Sequence, residues 1–305
     1  AAPSAHNTQP WKVTTAGNTL LISVDKTHML ADGDPTGRQT IIGLGIFTEA
    51  MLIGLQCTGY RTNEVTLEHR SVRIVVDSQK ATQPDASTKE RLLRHRHTDR
   101  SIYKPSELSS ELVAELIDTG KQFDCRVHVV SDHKIIRTIA ELTAKGIRLA
   151  LSSPSFRQEL SSYLLAPWSK QTRGIATNSL YLGRTLGSLQ PKLIKLANSG
   201  KKESSLEKKR WLSSSGVVLI TAKGDLEKQW FNAGRTYLHC SLIIEAHHLS
   251  QATSAAIVEA ANFHEDIEEV LGTSERILAV VRIGKGSKKR HYSPRVPVEE
   301  LITSS

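Results

Sequence analysis

Pro3-Ser4-Ala5-His6-Asn7-Thr8-Gln9-Pro10-Trp11 forms a compact turn that runs directly into a strand. Ser, Asn and Thr favour turns because their side chains satisfy nearby backbone groups, while each proline fixes its own φ and pushes the residue before it extended. A loop built this way is rigid and dense in polar atoms, which suits holding a planar polar ligand. Outward from it, Trp11-Lys12-Val13-Thr14 and Leu20-Leu21-Ile22-Ser23-Val24 read as strands joined by a hairpin turn at Ala16-Gly17-Asn18. Asp34-Pro35-Thr36-Gly37-Arg38 is a cap and turn. The long apolar stretch from Gln39 to about Cys57 predicts a buried helix, in which Gly43, Gly45, Ala50 and Gly54 let another backbone come close and which Gly59 ends. Val72-Arg73-Ile74-Val75-Val76 predicts a further strand.

The same plan recurs later. Gly216-Val217-Val218-Leu219-Ile220-Thr221 is a strand, Ala233-Gly234-Arg235 opens a second apolar helix to about His248, and Ile277-Leu278-Ala279-Val280-Val281 is a closing strand. The Gly-Arg pairs at Gly37-Arg38 and Gly234-Arg235 suggest an internal duplication, though two dissimilar βαβ units give the same outline. A polar stretch from Asp77 to Lys89, broken at Gln83-Pro84-Asp85, sets a boundary between residues 1–84 and 85–305. Residues 167–205, with Ser, Lys, Gly and Gln throughout, read as an excursion from the core, of the kind used for lids.

A chain of 305 residues at 39% hydrophobic is globular and long enough for a large core. Cys57, Cys125 and Cys240 have no C-x-x-C spacing, so neither a disulfide framework nor a zinc site is expected, and a reducing compartment such as the cytoplasm fits best. No apolar run approaches the roughly 20 residues of a bilayer span. The net charge of +9 is compatible with nucleic acid, a membrane surface or anionic small molecules. With only 5% aromatic residues and basic groups scattered, the small-molecule reading is favoured and no nucleic-acid partner is expected. His247-His248 face different ways on a helix and no H-E-x-x-H, P-loop, G-x-G-x-x-G or G-x-S-x-G string occurs, so metal sites and these catalytic classes are not expected.

Two further strings carry chemistry. In Arg94-His95-Arg96-His97-Thr98-Asp99-Arg100-Ser101, cationic side chains and hydroxyls lie close enough to form an anion site, because guanidinium-to-phosphate bonds are strong and directional. The alternative is a basic helix end beside a solvated turn. Ser293-Pro294-Arg295-Val296-Pro297, after Arg282-Ile283-Gly284-Lys285-Gly286, reads from its residues alone as a proline-rich surface tail carrying one arginine, and a family resemblance gives it a second reading.

The opening string resembles the P-S-x-x-N-x-Q-P-W loop of the FMN-dependent nitroreductase family, through Pro3, Ser4, Asn7, Gln9, Pro10 and Trp11. The string around Arg96 is similar to the family's R-x-S-x-R/K element, with Thr98 in place of Ser, and Arg295 matches its C-terminal R-x-P. Where many members carry a Lys two residues before that Arg, this chain has Ser293. The resemblance points to the single-chain tandem, Acg-like branch, and implies an α+β fold: a mostly antiparallel sheet in each half-repeat, two long helices inside, and the halves paired as an intramolecular pseudo-dimer that further dimerisation could extend. It implies FMN at the junction, held by Pro3, Ser4, Ala5, Asn7 and Gln9 from one side and by Arg96, His97, Thr98, Arg100 and Arg295 from the other, with one flavin per chain. Arg96, Thr98 and Arg295 would hold phosphate and ribityl oxygens, and Arg100 would face the pyrimidine edge. Arg210 falls near a cation that meets the ring. Ile257-Val258-Glu259-Ala260 stands at the family's P-x-E-G turn, whose backbone N–H donates to the flavin, but lacks its Pro and Gly.

By that resemblance the chain is an oxidoreductase passing hydride from NAD(P)H through FMN to a nitroaromatic, quinone or similar acceptor. The flavin does the redox chemistry and no catalytic side chain is required. The departure at Ile257–Ala260 and the lid-like excursion motivate an alternative, an FMN-binding protein that sequesters flavin without turnover.

Overall fold

The computed structural model describes residues 2–80, 86–181, 184–196, 198–287 and 289–304. The break at Gln83-Pro84-Asp85 lies outside them, as does Lys288. In chain order the elements are β1 (Trp11–Ala16), β2 (Thr19–Val24), α1 (Arg38–Cys57), β3 (Tyr60–Glu68), β4 (Ser71–Lys80), α2 (Ala86–His95), α3 (Ser110–Lys121), β5 (Arg126–Val130), α4 (His133–Ser152) and α5 (Pro154–Tyr163). They continue with β6 (Leu164–Leu165), β7 (Ile175–Ala176), α6 (Arg184–Leu196), α7 (Gly200–Leu212), β8 (Gly216–Ala222), α8 (Glu227–Ala246), β9 (Ser250–Thr253), α9 (Ala256–Glu259), α10 (Phe263–Leu271), β10 (Arg276–Gly284), α11 (Val298–Leu301) and β11 (Ile302–Ser304).

The fold is α+β. One sheet runs β11-β1-β2-β4-β3 and the other β5-β8-β10-β9. Pairing is antiparallel throughout both, except that β11 lies parallel to β1 with Val13 opposite Ile302. The end of the chain thus completes the sheet that its beginning starts. The β1–β2 hairpin closes at Ala16 and Thr19, where Gly17 takes a positive φ of 57°. Every residue of β8 is buried, as a central strand covered on both faces must be.

Asp34 starts α1 by accepting from the backbone amides of Gln39 and Thr40 at 2.9 and 2.8 Å. By length and composition α1 would pass for a membrane span, with mean hydropathy 1.6, which corrects the expectation that no such run exists. Its apolar surface is instead largely buried, and it crosses α8 backbone to backbone. A β-carbon at Gly45 would fall on the Phe231 carbonyl oxygen, and one at Gly234 on that of Ile42. Gly54 meets nothing, so only part of the small-residue pattern serves this crossing. The second helix begins at Glu227, not at Gly234-Arg235. That Gly-Arg pair lies inside α8 because the glycine is needed at the helix crossing, and Arg235 bonds Glu49 of α1 across it at 2.8 Å. Residues 167–205 are not bare loop: β7, α6 and the start of α7 fall there, with Leu164 and Ile194 in a satellite core beside α5.

Candidate functional site

The N-terminal loop is held in a conformation that side chains seldom adopt. His6, Asn7 and Gln9 all have positive φ, at 45°, 55° and 49°, a region costly for L-residues other than Gly and, more mildly, Asn. Hydrogen bonds from distant chain fix it. Asn7 Nδ2 donates to the Gly174 and Pro294 carbonyls, each at 3.0 Å. Gln9 Oε1 accepts from the Val296 amide at 3.0 Å, and Gln9 Nε2 donates to the Thr172 carbonyl at 2.8 Å. Arg173 Nη1 donates to the carbonyls of Thr8 and Gln9. Three stretches far apart in sequence therefore meet at this loop.

The basic string begins in the last turn of α2, at Arg94 and His95, and then meets β9, with Thr98 bridging to Gln251 and the Asp99 amide donating to the Gln251 carbonyl at 2.8 Å. Asp99 is a buried anchor that accepts from the Ser101 amide, Ser250 Oγ, Tyr181 Oη and the Ser287 amide at 2.7–3.0 Å. Burial raises its pKa, but hydrogen bonds led by Tyr181 and Ser101 outweigh that and leave it below the usual carboxylate range. Arg282, fully buried over the Tyr103 ring, donates to the carbonyls of Asp99 and Ser101 at 3.1 and 2.9 Å. The backbone on both sides of Arg100 is thereby clamped.

Arg96, Arg100 and Arg295 converge on one cavity of about 350 Å³, lined also by Pro3, Ser4, His6, Asn7, His97, Thr98, Tyr292 and Ser293. Arg96 is buried, yet its Nε and Nη1 have no hydrogen-bond partner, and among the described residues no carboxylate pairs with Arg96 or Arg100. Burial, then the charge of Arg96, pulls the Arg295 guanidinium down to about 10. Burial also lowers Arg100. Both ring nitrogens of His97 are buried without partners, and burial followed by Arg290 lowers its pKa, which favours a neutral imidazole. Buried cations that repel one another create a demand for an anion, which is the physical signature of a phosphate or carboxylate site.

Past Ser4, Thr98, Arg100 and Ile175 the cavity meets a second, more apolar one of about 530 Å³. Ile42, Gly43 and Ile46 of α1, Leu180, Gln190 and Ile194 of the excursion, Tyr237 of α8 and Leu278 to Val280 of β10 form its walls. Arg210 lies here, donating to Glu207 and to the Leu180 carbonyl, each at 3.1 Å.

Of the residues singled out from sequence, Pro3, Ser4, Ala5, Asn7, Arg96, His97, Thr98, Arg100, Arg210, Glu259, Ala260 and Arg295 line one or both cavities. Gln9 does not; it lies behind the loop and ties it to Val296 and Thr172. At Ile257–Ala260 the missing Pro and Gly matter: the segment winds into α9, and the amides of Glu259 and Ala260 already donate to the carbonyls of Ala255 and Ala256. The Glu259 carboxylate is occupied by Arg38 at 2.9 Å and Gln39 at 2.8 Å. Tyr237, Glu207 and Tyr292 escaped the sequence reading because each stands alone on its element. His6 sat inside the opening motif, where its strained φ leaves no composition signal.

No family model matches the chain. An NAD(P)H nitroreductase by provisional name, acg of Mycobacterium tuberculosis, is 31% identical over 62 residues, covering 20% of this chain and 19% of that protein. This chain is similar to a nitroreductase. The alignment spans about a fifth of the length of the curated relative. Among solved structures, the FMN-dependent nitroreductase NfnB from Mycobacterium smegmatis in complex with NADPH is 16% identical, over 72% of this chain and 99% of that one, with a TM-score of 0.46. Oxidized iodotyrosine deiodinase bound to FMN and 3-iodo-L-tyrosine is 13% identical over 68% of this chain and 95% of its own, with a TM-score of 0.42.

Proposed function

We propose that this chain binds FMN across the two joined cavities and works as an NAD(P)H-linked oxidoreductase of nitroreductase type, with a nitroaromatic, quinone or similar acceptor. The observation that carries this reading is Arg96: a buried guanidinium with two unpartnered nitrogens, in a cavity shared with Arg100 and Arg295 that opens onto an apolar cleft. Arg282, the buried structural arginine nearby, spends both of its terminal nitrogens on backbone carbonyls, whereas Arg96 keeps Nη1 as well as Nε without a partner. Arg96, Thr98 and Arg295 hold the phosphate; Ser4, Asn7 and the loop around them orient the ribityl chain; Arg100 brings positive charge to the junction with the apolar cavity. Bound FMN supplies hydride and electron transfer at its ring. The residues of the second cavity exclude water from that ring and leave room for a flat partner.

In this reading residues 1–84 and 85–305 are two halves of a pseudo-dimer with the α1–α8 crossing at its centre, and the single loop of the Asn7 type gives one flavin per chain. The three free cysteines suit a reducing compartment such as the cytoplasm. The test is an absorption spectrum followed by titration with FMN and with riboflavin. A site built for the phosphate binds FMN about 100-fold more tightly, the worth of two charge-assisted bonds. Equal affinity, or two flavins per chain, overturns the arrangement.

A second reading is favoured by the excursion itself. Leu180, Gln190 and Ile194 wall the apolar cavity, and Arg173 fastens the excursion to the N-terminal loop. If that cover excludes nicotinamide, the chain stores flavin instead of turning it over. Stopped-flow mixing of the flavin-loaded protein with NADPH separates the two: rapid bleaching supports the enzyme, and a full flavin complement that does not bleach supports sequestration.

A further inference from the structure

Helix α6 carries its leucines on the outside. Leu186, Leu189, Leu193 and Leu196 are 55%, 51%, 46% and 81% exposed. At 3.6 residues per turn they fall within an arc of about 80°. An ordinary surface helix turns such a stripe inward. This one cannot, because its inner face is already committed elsewhere. Gly187 abuts Thr177 and Pro167, Ser161 Oγ donates to the Pro191 carbonyl at 2.8 Å, Gln190 donates to Glu203 at 3.2 Å, and Ile194 is buried in the satellite core. Trp168, next to that Pro167, is 59% exposed.

Charge says what covers the stripe. From Leu160 to Lys202 the sequence contains seven basic residues, Lys170, Arg173, Arg184, Lys192, Lys195, Lys201 and Lys202, and no acidic one. Lys192 and Lys195 lie on α6 along one flank of the leucines and are exposed. We propose that α6 docks this protein on an anionic lipid surface, with the leucines in the acyl boundary and the lysines at the headgroups. A helix with a leucine stripe on one side and Lys beside it, with an exposed Trp on a neighbouring segment, has the makeup of an interfacial element. A second copy of the chain would set lysine against lysine across the stripe. A nucleic acid would leave the leucines against phosphate. The inference is independent of the flavin site.

The test is sedimentation of the full-length chain with vesicles, either pure phosphatidylcholine or equal parts phosphatidylcholine and phosphatidylglycerol. Binding to the anionic vesicles alone is expected, weakened by salt and accompanied by a blue shift of Trp168 emission that W168F removes. The pairs L189E/L193E and K192E/K195E each reduce partitioning about tenfold or more. All four side chains are exposed, so circular dichroism should be unchanged; should the leucine pair misfold, the lysine pair decides. The proposal is overturned by absence of binding, by equal binding to neutral vesicles, or by binding that the variants leave intact. It is equally overturned if light scattering finds a dimer that L189E/L193E converts to monomer.

Discussion

Arg295 Nη1 donates to Asn7 Oδ1 at 3.0 Å across 288 residues of chain. Asn7 is the residue on which the site closes, since its amide also donates to Gly174 and Pro294 and its left-handed φ of 55° aims it at all three. Asn7 thus ties the N-terminal loop to both the excursion and the C-terminal segment.

Asn7→Ala deletes the side-chain donor to the Gly174 and Pro294 carbonyls and one of the three acceptors of Arg295 Nη1, which keeps the Ser293 and Pro294 carbonyls, and it places a residue with a β-carbon and no local hydrogen bond at positive φ. We expect a loss of about 3 kcal/mol in denaturant unfolding. Asn7→Gly breaks the same hydrogen bonds but tolerates the backbone, so it should recover about 1 kcal/mol of that. Equal midpoints for the two variants would mean that the strain term is absent.

The α1–α8 crossing makes a sharper prediction. Gly45→Ala and Gly234→Ala each push a methyl group into a carbonyl of the facing helix, so each should cost about 3 kcal/mol or prevent folding. Gly54→Ala lies on the same helix α1 with open space around it, and should raise stability by up to about 1 kcal/mol through helix propensity. Thermal melts of the three variants side by side check the sign of each.

What was legible in the sequence follows from how local each cause is. The β1–β2 hairpin, the Asp34 start of α1 and the buried strands β8 and β10 each rest on a turn residue, a cap or an apolar run within a few positions. The start of α8 was misplaced because Leu226 at its N-cap makes no side-chain cap hydrogen bond, while Gly234, needed for a helix crossing, mimics a helix start. β11 has three residues and is a strand only because β1 offers an edge. At the site, the residues within the three motifs could be named. Tyr237 and Glu207 could not, because only the packing of α7 and α8 brings them to the second cavity.

Arg96 gives a prediction in which stability and binding move in opposite directions. Removing a buried cation that faces Arg295 relieves repulsion and deletes unsatisfied donors. Arg96→Met should therefore raise the melting temperature of the flavin-free protein while weakening FMN binding about 10- to 100-fold, one charge-assisted phosphate contact. Arg96→Lys keeps the charge and should fall between, because an ammonium cannot make the forked contact. A variant that loses stability without ligand would mark Arg96 as structural.

His6 sets a pH dependence. Burial first, and the Arg100 charge second, pull its pKa from 6.5 down to about 4, and its Nδ1 has no partner. Because the folded value lies below the unfolded one, the unfolded chain takes up the proton first as the pH falls. Stability from this group is complete above pH 6.5, declines between about 6.5 and 4, and is level below that, for a total of about 3 kcal/mol. Burial likewise lowers His28, His97, His128, His264 and His291, which add to the same slope, so the quantity to measure is a difference. His6→Asn tolerates the left-handed backbone and carries no titrating group. Urea unfolding of both proteins at intervals across this window should give a shallower fall for the variant, and superimposable curves would remove His6 as the cause.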